Sequence, residues 1–167
     1  MKNFTNTIIK RIIAKAEATG FDKLSYFNMP DENHKNYWIS DERTSLTHIL
    51  LQDLTINTVD TEVYEEYRFG DVTWTNDLCA TSKRKGKYGY VTTLVTDSET
   101  ERRYAFRQAR IITNTLDAGR HLVVDHLNGN TYDNRRINLS TGTQQANLKN
   151  QYPYKEVPAI VYPWDHE

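Results

Sequence analysis

The feature that most limits the fold is a polar stretch near the C-terminal end, Val123 to Asn150. A short apolar run, Val123-Val124, ends on an acid and an imidazole side by side, Asp125-His126. Turn formers follow in two groups, Asn128-Gly129-Asn130 and Asp133-Asn134, whose side chains bond their own backbone or tolerate positive φ. A second short run, Arg136-Ile-Asn-Leu-Ser140, comes next. Thr141-Gly-Thr-Gln144 has the spacing of a capping box, which predicts a helix from that point carrying Asn147 on about its second turn. The order strand, loop, strand, helix therefore sets His126, Asn138 and Asn147 at intervals along one folded-back segment.

This ordered set resembles the ββα-metal motif of the HNH endonucleases, closest to the phage group of free-standing and intron-encoded homing enzymes. The matching residues are Asp125-His126, Asn128-Gly129-Asn130, Asp133-Asn134-Arg135-Arg136, Asn138-Leu139, Asn147 and Asn150, with a weaker match reaching back to about Trp74. The resemblance implies an α+β fold in which short antiparallel strands lead into a C-terminal ββα-metal motif at about 119–150. It also implies a metal-dependent endonuclease that hydrolyses DNA phosphodiester bonds, nicking one strand or cutting both, encoded by a phage or mobile element. In such an enzyme the catalytic set would be His126, Asp125 and Asn147. Asn138 would brace the loop through its amide, which both donates and accepts. Many members have a histidine where this chain has Asn147, and many place one before the arginine that aligns with Arg110, where this chain has Ala109.

The residue types suit the chemistry. An unperturbed imidazole titrates near pH 6.5, so His126 could take a proton from water at neutral pH. Asp125 and Asn147 would offer one anionic and one neutral oxygen to a single divalent ion. Such hard ligands leave most of the coordination to water and phosphate and favour Mg²⁺ or Mn²⁺ over Zn²⁺. Arg135 and Arg136 would contact backbone phosphates, with Arg110 and the basic turn Lys83, Arg84, Lys85 and Lys87 extending that DNA-binding surface. One geometric condition follows. Neighbours on a regular strand face opposite ways, so the strand is expected to end or bulge near His126; regular pairing through both Asp125 and His126 would count against a shared site.

The net charge of −1 hides an asymmetry. From Asp31 to Glu66 nine acids face only Lys35 and Arg43, a net of −7, whereas Lys83 to Asn150 holds twelve Lys or Arg and six acids, a net of +6. The basic part suits phosphate; the acidic part leaves a protein partner open. Residues 1–70 are expected to be mainly helical, with a first helix over 5–18 carrying an Ile8, Ile9, Ile12, Ile13, Ala16 stripe and a second from Thr44 or Ser45 carrying Leu46, Ile49, Leu50 and Leu54. Between them, residues 21–42 read as irregular, and Glu65-Glu66 as a wet helix face. From Asp71 the period becomes two: Val72–Trp74, Tyr88–Val95 and Arg103–Phe106 read as strands, followed by a short helix over Arg107–Ile112. These divisions predict an N-terminal region 1–70, a nuclease domain 71–150 and an extended Pro/aromatic tail 151–167. The single cysteine, Cys79, excludes a disulfide framework, and the absence of a long apolar run points to a cytoplasmic protein with no membrane partner. Two other readings fit the same residues: a nucleic-acid-binding protein that keeps the scaffold without cutting, and an effector whose acidic N-terminal region binds a protein. The oligomeric state is not legible.

Overall fold

The computed structural model describes residues 2–78, 89–143, 145–146 and 155–166. It is a mixed α+β chain with three small antiparallel sheets and few helices. Two compact units divide it, one of Met1–Asn76 with Ile160–Glu167 and one of Asp77–Ala159.

The first unit begins with α1 (Lys2–Thr19). Ile12 and Ala16 are buried, and Ile8 and Ile9 pack against a core that includes Phe27, Tyr37 and Leu50. The helix ends because Gly20 adopts φ +72° and the Phe21 N–H returns to the Ala16 carbonyl at 3.0 Å, the closing bond of a Schellman motif.

The second expected helix is instead a strand. β1 (Tyr37–Asp41), β2 (Leu46–Leu50) and β3 (Ile56–Asp60) form an antiparallel meander, with His48 opposite Ile39 and Thr58. Residues 21–42 thus contain β1, and the region 1–70 carries this three-stranded sheet beside its helices. All five residues of β2 are buried. A strand covered on both faces shows no alternation, and the Leu46, Ile49, Leu50 spacing imitates a helix stripe. Its polar members find partners inside: the Thr47 hydroxyl lies 2.8 Å from that of Ser40 and 2.9 Å from that of Thr61, and His48 Nδ1 lies 2.8 Å from Thr58 Oγ1. Ser45, one of the two expected starting points of that helix, sits at φ +57° in the tight turn between β1 and β2.

α2 (Thr61–Glu66) follows, with Val63 and Tyr64 buried and Glu65 and Glu66 exposed. Val72–Trp74 is not a strand; β4 spans Thr75–Leu78. Trp74 is a core residue of the first unit, its indole N–H donating to the Phe69 carbonyl at 2.9 Å and its backbone N–H to Asn36 Oδ1 at 2.9 Å. The end of the tail belongs to the same unit: Trp164 packs edge-on against Tyr26 at 5.4 Å and Tyr162 lies 5.0 Å from the His48 ring.

In the second unit, β5 (Gly89–Thr96) and β6 (Arg103–Arg107) form an antiparallel hairpin in a sheet of order β4-β5-β6. α3 (Gln108–Ile112) starts directly from β6 and buries Gln108, Ala109 and Ile112. β7 (Leu122–His126) and β8 (Leu139–Thr143) form a two-stranded ribbon. Among the described residues no helix is long and apolar enough to cross a membrane.

Candidate functional site

The loop joining β7 to β8 is built by its own side chains. Gly129, at φ +77°, lets its N–H reach the His126 carbonyl at 2.8 Å, a turn that L side chains adopt poorly. Asn128 Oδ1 accepts from the Asn130 N–H at 2.9 Å and Asn130 Oδ1 from the Tyr132 N–H at 3.0 Å, two successive Asx turns. Asn138, fully buried, spans the loop: its Oδ1 accepts from the Asn128 N–H at 2.9 Å and its Nδ2 donates to the Asp133 carbonyl at 2.8 Å. Short bonds from both ends of one amide fix where the chain leaves β7.

Asp133 is the anchor of the loop. Its carboxylate accepts Arg135 Nε and Nη2, each at 2.8 Å, and Asn128 Nδ2 at 2.9 Å. Arg135 also donates to the Pro158 carbonyl at 2.7 Å. With 7% of its side chain exposed against 0% for Asp133, Arg135 is an internal ion-pair partner. This corrects the expectation that it faces DNA phosphate, since its fork is spent on a neighbouring carboxylate and a tail carbonyl. Arg136 stays exposed. Arg110 is also committed within the unit, donating to the Thr115 carbonyl at 3.0 Å and the Leu122 carbonyl at 2.7 Å, so that it straps the α3–β7 connection rather than extending outward.

His126 stands at the last position of β7 and is 6% exposed. Its Nε2 lies 2.7 Å from Asn134 Oδ1, and Asn134 Nδ2 donates to Gln108 Oε1 at 2.8 Å. Gln108 Nε2 has no hydrogen-bond partner among the described residues. Burial pushes the imidazole below its ordinary pKa, against the bond to Asn134 and the charges of Asp125 and Asp133, which pull it up; Arg107 adds a smaller downward push. The ring is therefore neutral and able to accept a proton at neutral pH. It opens on a hollow of about 140 Å³ lined also by Tyr90, Arg107, Ala109, Arg110, Val123 and Val124. The Arg107 guanidinium carbon lies 4.0 Å from the Tyr90 ring centroid, so an exposed cation is stacked at the rim.

Asp125 is half-buried and does not line this hollow. β7 ends at His126, but the ladder runs regularly through both residues, Asp125 opposite Ser140 and His126 opposite Leu139. The strand thus ends near His126, as expected, but without a bulge, and the regular pairing through both residues is the arrangement that counts against a shared site. Asn147 and the basic turn Lys83, Arg84, Lys85 and Lys87 lie outside the described residues. The capping box at Thr141 is part of β8, with Thr141 opposite Val124; Thr143 Oγ1 accepts the Ala146 N–H at 3.2 Å, so the helical residues 145–146 are capped two positions later. Among the described residues no three His, Cys, Asp or Glu side chains are grouped to hold a metal ion.

Sequence reasoning passed over Asn134 and Gln108 as partners of His126, and Tyr90 and Arg107 as neighbours. The readable signal was Gln108, a polar residue on the buried face of α3 with Ala109 and Ile112. Compared with protein-family models, with characterised proteins and with solved structures, the chain gives no match.

Proposed function

We propose that the chain is a DNA endonuclease of the HNH type, hydrolysing phosphodiester bonds with His126 as the general base. The observation that carries the reading is the combination at the end of β7: a buried imidazole held neutral, opening on a hollow with a stacked arginine at its rim. A water molecule occupies roughly 30 Å³ of liquid, so the hollow of about 140 Å³ has room for an attacking water and a phosphate oxygen. His126 would take the proton of that water, and Arg107 would attract the phosphate and offset its growing charge. The loop braced by Asn138 resists displacement of the ring while this happens.

A divalent ion, Mg²⁺ or Mn²⁺, held through Asp125 and Asn147 would supply Lewis acidity and leaving-group stabilisation. The described residues do not by themselves complete a donor set for it. The acidic composition of the first unit continues to suggest a protein partner there.

A second reading, a nucleic-acid-binding protein that does not cut, is favoured by the regular pairing that turns Asp125 away from His126. Supercoiled plasmid incubated with the protein and Mg²⁺ or Mn²⁺, beside His126→Ala and a chelator control, separates the two. Nicking abolished by His126→Ala and by chelation supports the endonuclease. Plasmid retarded on a gel but never nicked leaves the binding protein.

A further inference from the structure

The two amides behind His126 have a task of their own. A carbonyl oxygen can only accept, so a ring nitrogen 2.7 Å from Asn134 Oδ1 must carry the proton. The lone pair of the neutral ring is then on the other nitrogen. Building on the reading of His126 as base, we propose that Asn134 and Gln108 are positioning residues that fix His126 as the Nε2–H tautomer and leave Nδ1 as the nitrogen that takes the proton.

Asn134 alone could not enforce this. Its amide can turn over within nearly the same volume, presenting NH₂ instead of oxygen and selecting the opposite tautomer. Gln108 blocks that turn. With Asn134 Nδ2 bound to Gln108 Oε1 at 2.8 Å, a turn of Asn134 alone would set two acceptor oxygens face to face. Asn134 is 1% exposed and Gln108 0%, so bulk water does not relieve the clash. Gln108 stands at the junction where β6 passes into α3. Only turning both amides together gives a consistent alternative. That reversed pair makes the ring Nδ1–H and leaves Oε1 rather than Nε2 of Gln108 without a partner, so the spectrum of the unaltered protein decides between them.

The experiment is a long-range proton–nitrogen NMR spectrum of the full chain labelled with ¹⁵N-histidine, recorded well above pH 6.5, the ordinary histidine value. His126 is assigned by its loss in His126→Ala. The proposal expects a protonated, pyrrole-like Nε2 and an unprotonated, pyridine-like Nδ1. Gln108→Glu, which can still accept from Asn134, should keep that pattern, whereas Gln108→Met should give a mixture of tautomers. In the plasmid assay Gln108→Met should lose about tenfold in kcat with little change in KM, and Gln108→Glu should retain most of the rate. An Nδ1–H ring in the unaltered protein overturns the proposal without any variant having to fold. A Gln108→Met protein that keeps the original tautomer overturns it too, even where plasmid cutting upholds His126 as base. Conversely, a protein that never cuts but changes tautomer in Gln108→Met upholds the positioning role and removes the catalytic reading.

Discussion

Replacing Asp133 should unfold the loop that carries the candidate site, and the size of the effect follows from what the carboxylate holds. Asp133 is fully buried and Arg135 nearly so, joined by two bonds of 2.8 Å, with Asn128 Nδ2 on the same carboxylate at 2.9 Å. Asp133→Ala leaves the Arg135 guanidinium inside the protein without its counter-charge and takes from Asn128 Nδ2 the carboxylate it donates to. Removing one member of a buried ion pair costs about 3–5 kcal/mol, against a total stability of about 5–15 kcal/mol for an ordinary domain. With a urea dependence of about 1–3 kcal/mol per molar, the midpoint should fall by on the order of 1 M or more. The assay is urea unfolding followed through the amide resonances of residues 122–143, which report on the ribbon and its loop. Arg135→Met should cost a similar amount by stranding the carboxylate. The double variant Asp133→Leu with Arg135→Met should cost clearly less than the sum, because no charge is then left unpaired. Single costs below about 1 kcal/mol that simply add would be the behaviour of an exposed pair and would refute the account of Arg135 as an internal strut.

Three further outcomes are expected. Asn138→Ala strips the half-buried Asn128 N–H and the buried Asp133 carbonyl of their partners, so it should cost at least about 1–3 kcal/mol and abolish nicking; an unchanged urea midpoint would contradict the bridging role. His126 is held below 6.5 by burial, so between its folded value and 6.5 the unfolded chain binds more protons, and stability is full above about 6.5 and falls as pH drops through that window; the fall should be steeper in the unaltered protein than in His126→Gln, and parallel curves would count against it. Gly70→Ala would put a Cβ 2.4 Å from the Asn33 carbonyl oxygen and 3.0 Å from Tyr64 Oη, so it should destabilise the first unit by about 1–3 kcal/mol. Fluorescence melting reads this directly, since Trp38, Trp74 and Trp164 all lie in that unit.

What the sequence made legible was what local chemistry decides. β5, β6 and α3 were readable because Tyr90 to Val95 is rich in aromatic and β-branched residues, and because the period changes at Arg107. The loop after β7 was readable because Asn128, Gly129 and Asn130 bond within two or three residues of themselves. β2 was not, because what allows Thr47 and His48 to be buried comes from Ser40, Thr58 and Thr61 on other elements, and no window along the chain contains that match. Arg135 was misplaced for a related reason: sequence displays a charge but not which neighbour neutralises it, and Asp133, two positions away, is the partner it takes inside the fold. The same limit governs the candidate site. Asp125 and His126 are adjacent in sequence yet set on opposite faces by the ladder, while Gln108 and His126, far apart in sequence, are joined through one amide. Sequence neighbours on a strand are poor evidence of a shared site. A glutamine on the buried face of a short helix is better evidence, because burying an amide is costly unless some partner meets it. Here that partner is the asparagine that holds the imidazole, so the polar residue that violates the pattern of α3 is the one that leads to His126.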